Sequence, residues 1–218
     1  MKAKEMDMLH GGLAGKLILF AIPLAFSSIL QQLFNSADVA VVGRFAGSAA
    51  LAAVGSCVAL VGIFVNLIVG LAVGPNAALA NLIGQNKREK ISGMLHTILT
   101  FGAVLGIVLM GVGMLTARTV LEASGTPESV MADALLYIRI YFLGLPFMVI
   151  YNFGAAILRS YGDTRRPLYY LIISGTLNVI LNLLLVIEFH LGVAGVAIAT
   201  TISNMVSTVM VISCLHRK

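Results

Sequence analysis

Long apolar runs are the feature that most constrains how this 218-residue chain can fold. A helix that crosses the hydrocarbon core of a bilayer, about 30 Å thick, needs about 20 mainly apolar residues. Charged residues and Gly/Pro clusters divide the sequence into six runs of at least that length, at about 17–42, 48–83, 91–117, 131–158, 168–187 and 193–214. We therefore predict an all-α membrane protein, in which residues 1–218 form one bundle of six transmembrane helices.

The composition agrees with a membrane protein. Hydrophobic residues make up 59% of the chain and charged residues 11%, against about 45–50% and about 25% in soluble domains. A disordered chain, a collagen-like chain and a disulfide-rich secreted domain are excluded on this ground. The net charge of +5 does not indicate nucleic acid, because the basic residues lie in short clusters between apolar runs. We expect the lipid bilayer as a partner and no nucleic acid.

The Lys and Arg residues orient the predicted topology. Eleven fall on one side of the six runs, whereas Arg44 and Arg118 fall on the other and Arg139 lies within the fourth run. Because cytoplasmic loops of membrane proteins are enriched in basic residues, we predict a multi-pass membrane protein with both termini in the cytoplasm. We expect the membrane to be a bacterial cytoplasmic (inner) membrane. The eleven residues are Lys2, Lys4, Lys16, Lys87, Arg88, Lys90, Arg159, Arg165, Arg166, Arg217 and Lys218.

A polar stripe interrupts the first apolar run. Gln31, Asn35 and Asp38 are spaced i, i+4, i+7, which places them on one narrow face of a helix. A carboxylate near the middle of a membrane costs about 2.5–3.5 kcal/mol on insertion scales, so it requires a partner or a function. Asp38 therefore marks a candidate site, or it is hydrated near the outer interface or paired with Arg44 or Arg139.

Polar residues also interrupt the last two runs. Asn178 and Asn182 lie one turn apart in the fifth run, and the sixth contains Thr200, Thr201 and Asn204. Such residues commonly form hydrogen bonds between membrane helices, and they can serve as packing contacts alone. Combined with Asp38, they offer the oxygen-only ligands that hard cations prefer, and the same groups suit a proton site.

The sequence gives no motif for an enzyme. It contains no Ser/His/Asp set, no Gly-rich phosphate loop and no paired carboxylates at a recognisable spacing. We therefore predict a protein that is not an enzyme, with no cofactor and no metal beyond a sodium ion at the Asp38 site.

Prolines and glycines predict bends and close contacts. Gly74-Pro75 predicts a kink in the second run, Pro146 one in the fourth, and Pro23 a bend or hinge in the first. Small residues four apart let helices approach closely. Within the apolar runs, two glycine pairs have this spacing, Gly70 with Gly74 and Gly102 with Gly106.

The order and spacing of several motifs resemble the N-terminal half of the multidrug and toxic compound extrusion (MATE) family. The resemblance covers almost the whole chain. It rests on Ile22-Pro23-Leu24, Gln31-Gln32, Asp38, Val42-Gly43-Arg44 continuing into residues 49–55, Tyr137-Ile138-Arg139, Arg159, Gly162-Asp163-Thr164-Arg165 with Pro167, Asn178, and residues 192–200.

The resemblance implies an antiporter that uses a proton or sodium gradient to export small organic, often cationic amphiphiles by alternating access. It implies that Asp38, Asn178, Asn182 and Thr200 form the cation or proton site, that Gln31 and Tyr137 line the substrate cavity, and that Pro23 bends the first helix. We add Asn35 to the cavity because it shares the face of Gln31 and Asp38. Some relatives carry a second acid where this chain has Asn182, so the coupling ion, H⁺ or Na⁺, stays open.

The resemblance also implies a partner for this chain. The family has about twelve helices in two similar lobes, whereas six apolar runs are present here. We therefore expect a second six-helix lobe, fused or separate. Two alternatives stay open: a lipid-linked oligosaccharide flippase of the same superfamily, for which several basic cavity residues are expected, and a degenerate half that does not transport.

Overall fold

The computed structural model describes residues 13–216, and nearly all of them are helical. The basic residues Lys2, Lys4, Arg217 and Lys218, and with them the predicted location of both termini, lie outside the described residues. Two five-residue π-helical segments, Val42–Ala46 and Leu184–Glu188, extend the first and the sixth helix. The seven α-helices are α1 (Leu13–Val41), α2 (Gly47–Gly84), α3 (Arg88–Ala123), α4 (Glu128–Leu143), α5 (Leu145–Ser160), α6 (Arg165–Leu183) and α7 (Gly192–His216).

The described helices account for six membrane crossings. The bent pair α4 and α5 together is long and apolar enough to span a bilayer once. Four other helical stretches are also long and apolar enough: Ile18–Gly84, Glu89–Ala123, Arg165–Glu188 and Gly192–His216. The first stretch has 67 residues, more than three times the about 20 that one crossing needs. It is interrupted at Gly47, whose φ of 91° and ψ of 174° are not helical. Counting α1 and α2 separately gives six crossings, and the predicted six-helix membrane bundle is confirmed.

The bend between α4 and α5 follows from Gly144 and Pro146. The two helices meet at 44°. The Gly144 amide donates to the carbonyl of Tyr141 at 3.0 Å, three residues back, instead of continuing the α-helical pattern to Ile140. The freed carbonyl of Ile140 accepts a hydrogen bond from the Thr201 hydroxyl on α7, at 3.2 Å. This contact satisfies a backbone group that lipid could not satisfy.

The structure contains one of the two predicted glycine contacts, whereas the kink at Gly74-Pro75 and the bend at Pro23 stay predictions, because both prolines lie inside continuous helices. The helix α2 runs through Gly74-Pro75 without interruption, and α1 runs through Pro23. A Cβ added at Gly102 or Gly106 would lie within 3.4 Å of the α5 residues Phe153 and Pro146. At Gly70 and Gly74 it would meet no atom within 4 Å among the described residues, so only the second glycine pair mediates a close helix contact.

The loops 85–90 and 161–165 lie at one end of the bundle, which we call the basic end, and they and the helix ends beside them contain most of the described basic residues. Arg44, Arg118 and Arg139 lie elsewhere. At the basic end, Ser160, the last residue of α5, donates hydrogen bonds to the Asn76 carbonyl and side chain on α2, at 3.0 and 2.6 Å. The Arg166 side chain, at the start of α6, lies 3.4 Å from the Cys214 sulfur near the end of α7. These contacts fix the ends of four helices beside the basic loops at 85–90 and 161–165.

Cysteine labelling will test the orientation of the bundle. In a background without Cys57 and Cys214, we expect Lys90→Cys and Arg165→Cys to react with an impermeant maleimide only from the cytoplasmic side. We expect Glu128→Cys to react only from the outside, because the segment 125–128 lies at the opposite end of the bundle. Labelling of either basic position from the outside would contradict the predicted topology.

Candidate functional site

The carboxylate of Asp38 contacts α6, 144 residues later in the chain. The Asn182 side-chain amide donates a hydrogen bond to Asp38 Oδ1, with an N–O distance of 2.5 Å. Asn182 is fully buried, and Asp38 is partly buried. Within the described residues Asp38 forms no salt bridge, and Arg44 and Arg139 are exposed. Of the interpretations that the sequence left open, the structure therefore gives Asp38 a polar partner on another helix.

Hydrogen bonds continue from this pair to α7. The Asn182 amide also donates to Asn178 Oδ1 at 3.3 Å, and the Asn178 amide donates to Thr200 Oγ1 at 3.3 Å. The Thr200 hydroxyl donates to the Val196 carbonyl at 3.0 Å. One hydrogen-bonded chain thus joins three helices, and it contains all four residues that the family resemblance assigns to the cation or proton site.

The ligand chemistry of this cluster suits a proton as it stands. Asn182 presents its N–H group to the carboxylate, and its Oδ1 atom is buried without a hydrogen-bond partner among the described residues. A sodium ion at Asp38 would need oxygen ligands, so the Asn182 amide would have to rotate to turn Oδ1 toward the ion. A proton on the carboxylate requires no such rotation. The oxygens of Asn178 and Thr200 complete a donor set that fits Na⁺ only after that change.

The two π-helical segments begin directly after the site. Asp38 lies four residues before Val42–Ala46, and Asn182 lies two residues before Leu184–Glu188. π-Helical turns are rare, and they are found frequently at functional sites. Both segments lie at the end of the bundle opposite the basic end.

A cavity of about 150 Å³ adjoins the Asp38 cluster. Gln31 and Asn35, the other residues of the polar stripe on α1, line it together with Asp38, Asn178 and Thr200. Within the described part of the chain, no Lys or Arg side chain lines this cavity.

Tyr137 and Pro23, the two remaining residues of the predicted site, do not line the cavity. Tyr137 is buried and does not line the cavity; its ring stacks on Tyr141 with centroids 6.2 Å apart, and Tyr141, one turn further along α4, is a lining residue. Tyr137 and Tyr141 share one face of α4, so the predicted face is the one that reaches the cavity, one turn further along the helix than predicted. Pro23 lies inside α1, where the Ser27 hydroxyl donates to its carbonyl at 2.8 Å.

Several lining residues were not found from the sequence. They include Met148, Tyr151 and Asn152 on α5 and Ser203 and Ser207 on α7. A usable signal was present on α7, because Thr200, Ser203, Asn204 and Ser207 are spaced i, i+3, i+4, i+7 and share one face. Thr201, which the sequence grouped with Thr200, instead donates to the Ile140 carbonyl. No comparable pattern distinguishes the α5 residues.

The site depends on a close contact between α1 and α6. A Cβ added at Gly175 would overlap the ring of Phe34, so Gly175→Ala forces that ring or the whole of α1 to shift and strains the contact that places Asp38 beside Asn182. We expect a loss of about 1–3 kcal/mol in stability, the usual cost of overpacking, measured as a lower melting temperature of the assembled protein in detergent.

Gly62→Ala on α2 is the matched control, because a Cβ there meets no atom within 4 Å in the described structure. Equal melting temperatures for Gly175→Ala and Gly62→Ala would contradict a tight contact between α1 and α6.

Comparison with known proteins places these features in context. The sequence profile of the MatE family matches residues 23–184. The chain is 33% identical to the probable multidrug resistance protein YoeA of Bacillus subtilis, over 92% of this chain and 44% of that protein. It is 31% identical to the probable multidrug resistance protein YpnP of the same organism, over 92% of this chain and 45% of that protein.

A solved structure matches the fold. The crystal structure of MATE in the bent conformation superposes with a TM-score of 0.91 and 26% identity, over 99% of this chain and 48% of that chain. The chain thus spans about half the length of the relatives it matches, and its six crossings correspond to about half of a MATE structure.

Proposed function

Because this chain belongs to the MatE family, we propose that it forms one lobe of a secondary transporter that exports small organic cations. The observation that carries the proposal is the Asp38 carboxylate, which is held by Asn182 and lines a cavity inside a membrane bundle. An ionisable group in such a position is expensive, and it marks ion or proton pathways in transporters. The names of YoeA and YpnP support multidrug resistance as the biological context.

The size of the cavity supports a shared substrate site. Pockets for drug-sized ligands have volumes of about 300–1,000 Å³, whereas this cavity has about 150 Å³. It can hold an ion with waters, or one end of an amphiphile. Gln31 and Asn35 are exposed side chains of the cavity wall, and we propose that a second six-helix lobe, fused or separate, covers them and completes the substrate site.

We propose H⁺ as the coupling ion. Support comes from Asn182, which faces Asp38 with its N–H group and leaves the cluster with a single carboxylate. Na⁺ is the second candidate, because the oxygens of Asn178, Asn182 and Thr200 offer suitable ligands once the Asn182 amide rotates. In both cases Asp38 binds the cation from outside the cell and releases it to the cytoplasm, which drives export of the substrate. The membrane concerned is the bacterial cytoplasmic membrane, with the basic end in the cytoplasm.

Proteoliposomes will test this function. The transporter assembled from this chain and its second lobe is reconstituted, and movement of a fluorescent cationic dye is measured under an imposed pH gradient or an imposed Na⁺ gradient. We expect the pH gradient to accelerate dye movement at least tenfold and the Na⁺ gradient to leave it unchanged. Acceleration by Na⁺ alone would contradict the proton assignment, and no acceleration by either gradient would contradict the proposed function.

A further inference from the structure

The polar face of α7 continues beyond the Asp38 cluster toward the basic end. Ser203, Asn204 and Ser207 follow Thr200 on the same face, and all of them line the cavity. At 1.5 Å per residue, the seven residues from Thr200 to Ser207 extend the polar face by about 10 Å. Asn152 of α5 lines the same part of the cavity. This extension, which we call the inner branch, is not needed to hold a cation at Asp38.

A buried hydroxyl in the inner branch indicates water. Ser203 is 5% exposed, and its Oγ atom has no hydrogen-bond partner among the described residues. Buried polar groups are nearly always paired, and those that lack a protein partner bind ordered water. The Asn152 amide and the Ser207 hydroxyl donate to the Met148 and Asn204 carbonyls, and their oxygens can still accept hydrogen bonds from water. The side-chain amide of Asn204 also lines the cavity. Among the described lining residues, Asp38 is the only charged one, so the branch itself holds no fixed ion partner.

An apolar cluster lies between the inner branch and the basic end. Its buried members are Tyr151, Ala155, Leu158 and Val211. Val211 comes one turn after Ser207 and packs closely against Gly154 of α5. A Cβ added at Gly154 would lie 2.7 Å from the Val211 Cγ1 methyl group. Tyr151 also lines the cavity, and its hydroxyl donates to the Pro167 carbonyl at the start of α6, at 3.1 Å. We call this cluster the inner plug.

We propose that the inner branch is a water-filled passage that carries the coupling proton from Asp38 to the cytoplasm within this lobe, and that the inner plug closes it. The inference rests on the proposed function in taking a proton as the coupling ion. The presence of water in the inner branch does not depend on that function. The Asp38 O–H bond breaks, the proton passes to an adjacent water, and the carboxylate stays behind, stabilised by Asn182. The proton then moves along the waters beside Ser203 and Ser207, and it leaves when the plug around Val211 opens.

Thiol accessibility tests the passage without requiring transport. In the assembled transporter lacking Cys57 and Cys214, Ser203→Cys and Ser207→Cys are treated with a small impermeant methanethiosulfonate from the cytoplasmic side of inside-out vesicles. Because the plug opens transiently, we expect both to react at least tenfold faster than Met205→Cys, which lies on the same helix with its side chain 44% exposed on the outside of the bundle. Thiols in a wet passage ionise and react, whereas thiols in lipid do not. Rates equal to that of Met205→Cys at both positions would overturn the proposal.

The plug is tested in the same vesicles. Adding Val211→Ala should raise the labelling rate of Ser207→Cys at least fivefold, because it opens space between α5 and α7. Val209→Ala is the matched control, since that side chain is 58% exposed on the same helix, and it should leave the rate unchanged. No acceleration by Val211→Ala would show that the reagent arrives by another route and would overturn the passage within this lobe.

The two proposals can fail separately. If the labelling results are as expected but no gradient drives dye movement in proteoliposomes, the wet passage stands and the proposed exporter fails. If dye movement is gradient-driven but the plug variants leave labelling unchanged, the exporter stands and the passage fails.

Discussion

Replacing Asp38 with asparagine should abolish gradient-driven export by the assembled transporter while leaving the chain inserted in the membrane. Asparagine has nearly the same shape and keeps an oxygen that can accept the hydrogen bond from Asn182, so the contact between α1 and α6 survives. It cannot bind or release a proton in the relevant pH range, and it offers a cation no charge. We expect dye movement under a pH gradient to fall to the level of protein-free liposomes.

The control for Asp38→Asn is Asp133→Asn. Asp133 lies near the start of α4, is exposed, and does not line the cavity. Its replacement changes the net charge by the same amount, and it should leave export within twofold of the unmodified protein. Undiminished export by Asp38→Asn would remove this carboxylate from the mechanism, whereas equal losses in both variants would indicate a general effect of charge.

The second large effect is expected when this chain is expressed without a complementary lobe. We expect no dye export above background, because alternating access requires two bundles that move about a shared cavity. The exposed Gln31 and Asn35 would then face lipid, where each unpaired polar group costs several kcal/mol. The chain should therefore associate with a second lobe or with another copy of itself, or be degraded.

Co-expression provides the comparison for this prediction. Residues 1–218 are produced alone and together with the C-terminal half of a MatE relative, and both dye export and the mass of the detergent-solubilised particle are measured. Export should appear only in the particle that contains two lobes. Export by a demonstrated six-helix monomer would overturn the shared-cavity proposal and would leave the family assignment untouched.

The polar residues illustrate how far the sequence could predict the site. Asp38, Asn178, Asn182 and Thr200 were identified because polar groups are rare in apolar runs and because their order resembles that of the MATE family. Their hydrogen bonds were not predictable, since helical periodicity fixes which residues share a face of one helix but not how neighbouring helices rotate and slide. For the same reason Tyr141 lines the cavity where Tyr137 was expected.

The long apolar runs determined that this chain forms a helical membrane protein, because every backbone group inside a bilayer must form its hydrogen bond within the protein. Tertiary structure decided which of the possible bends and close contacts form. The fourth apolar run bends at Gly144, where Thr201 of α7 satisfies the freed carbonyl of Ile140. The helix α2, in contrast, stays helical through Pro75. Gly175 meets Phe34 closely, whereas Gly70 meets nothing in the described structure. A proline or glycine only permits a bend or an approach, and the neighbouring helix decides whether it occurs.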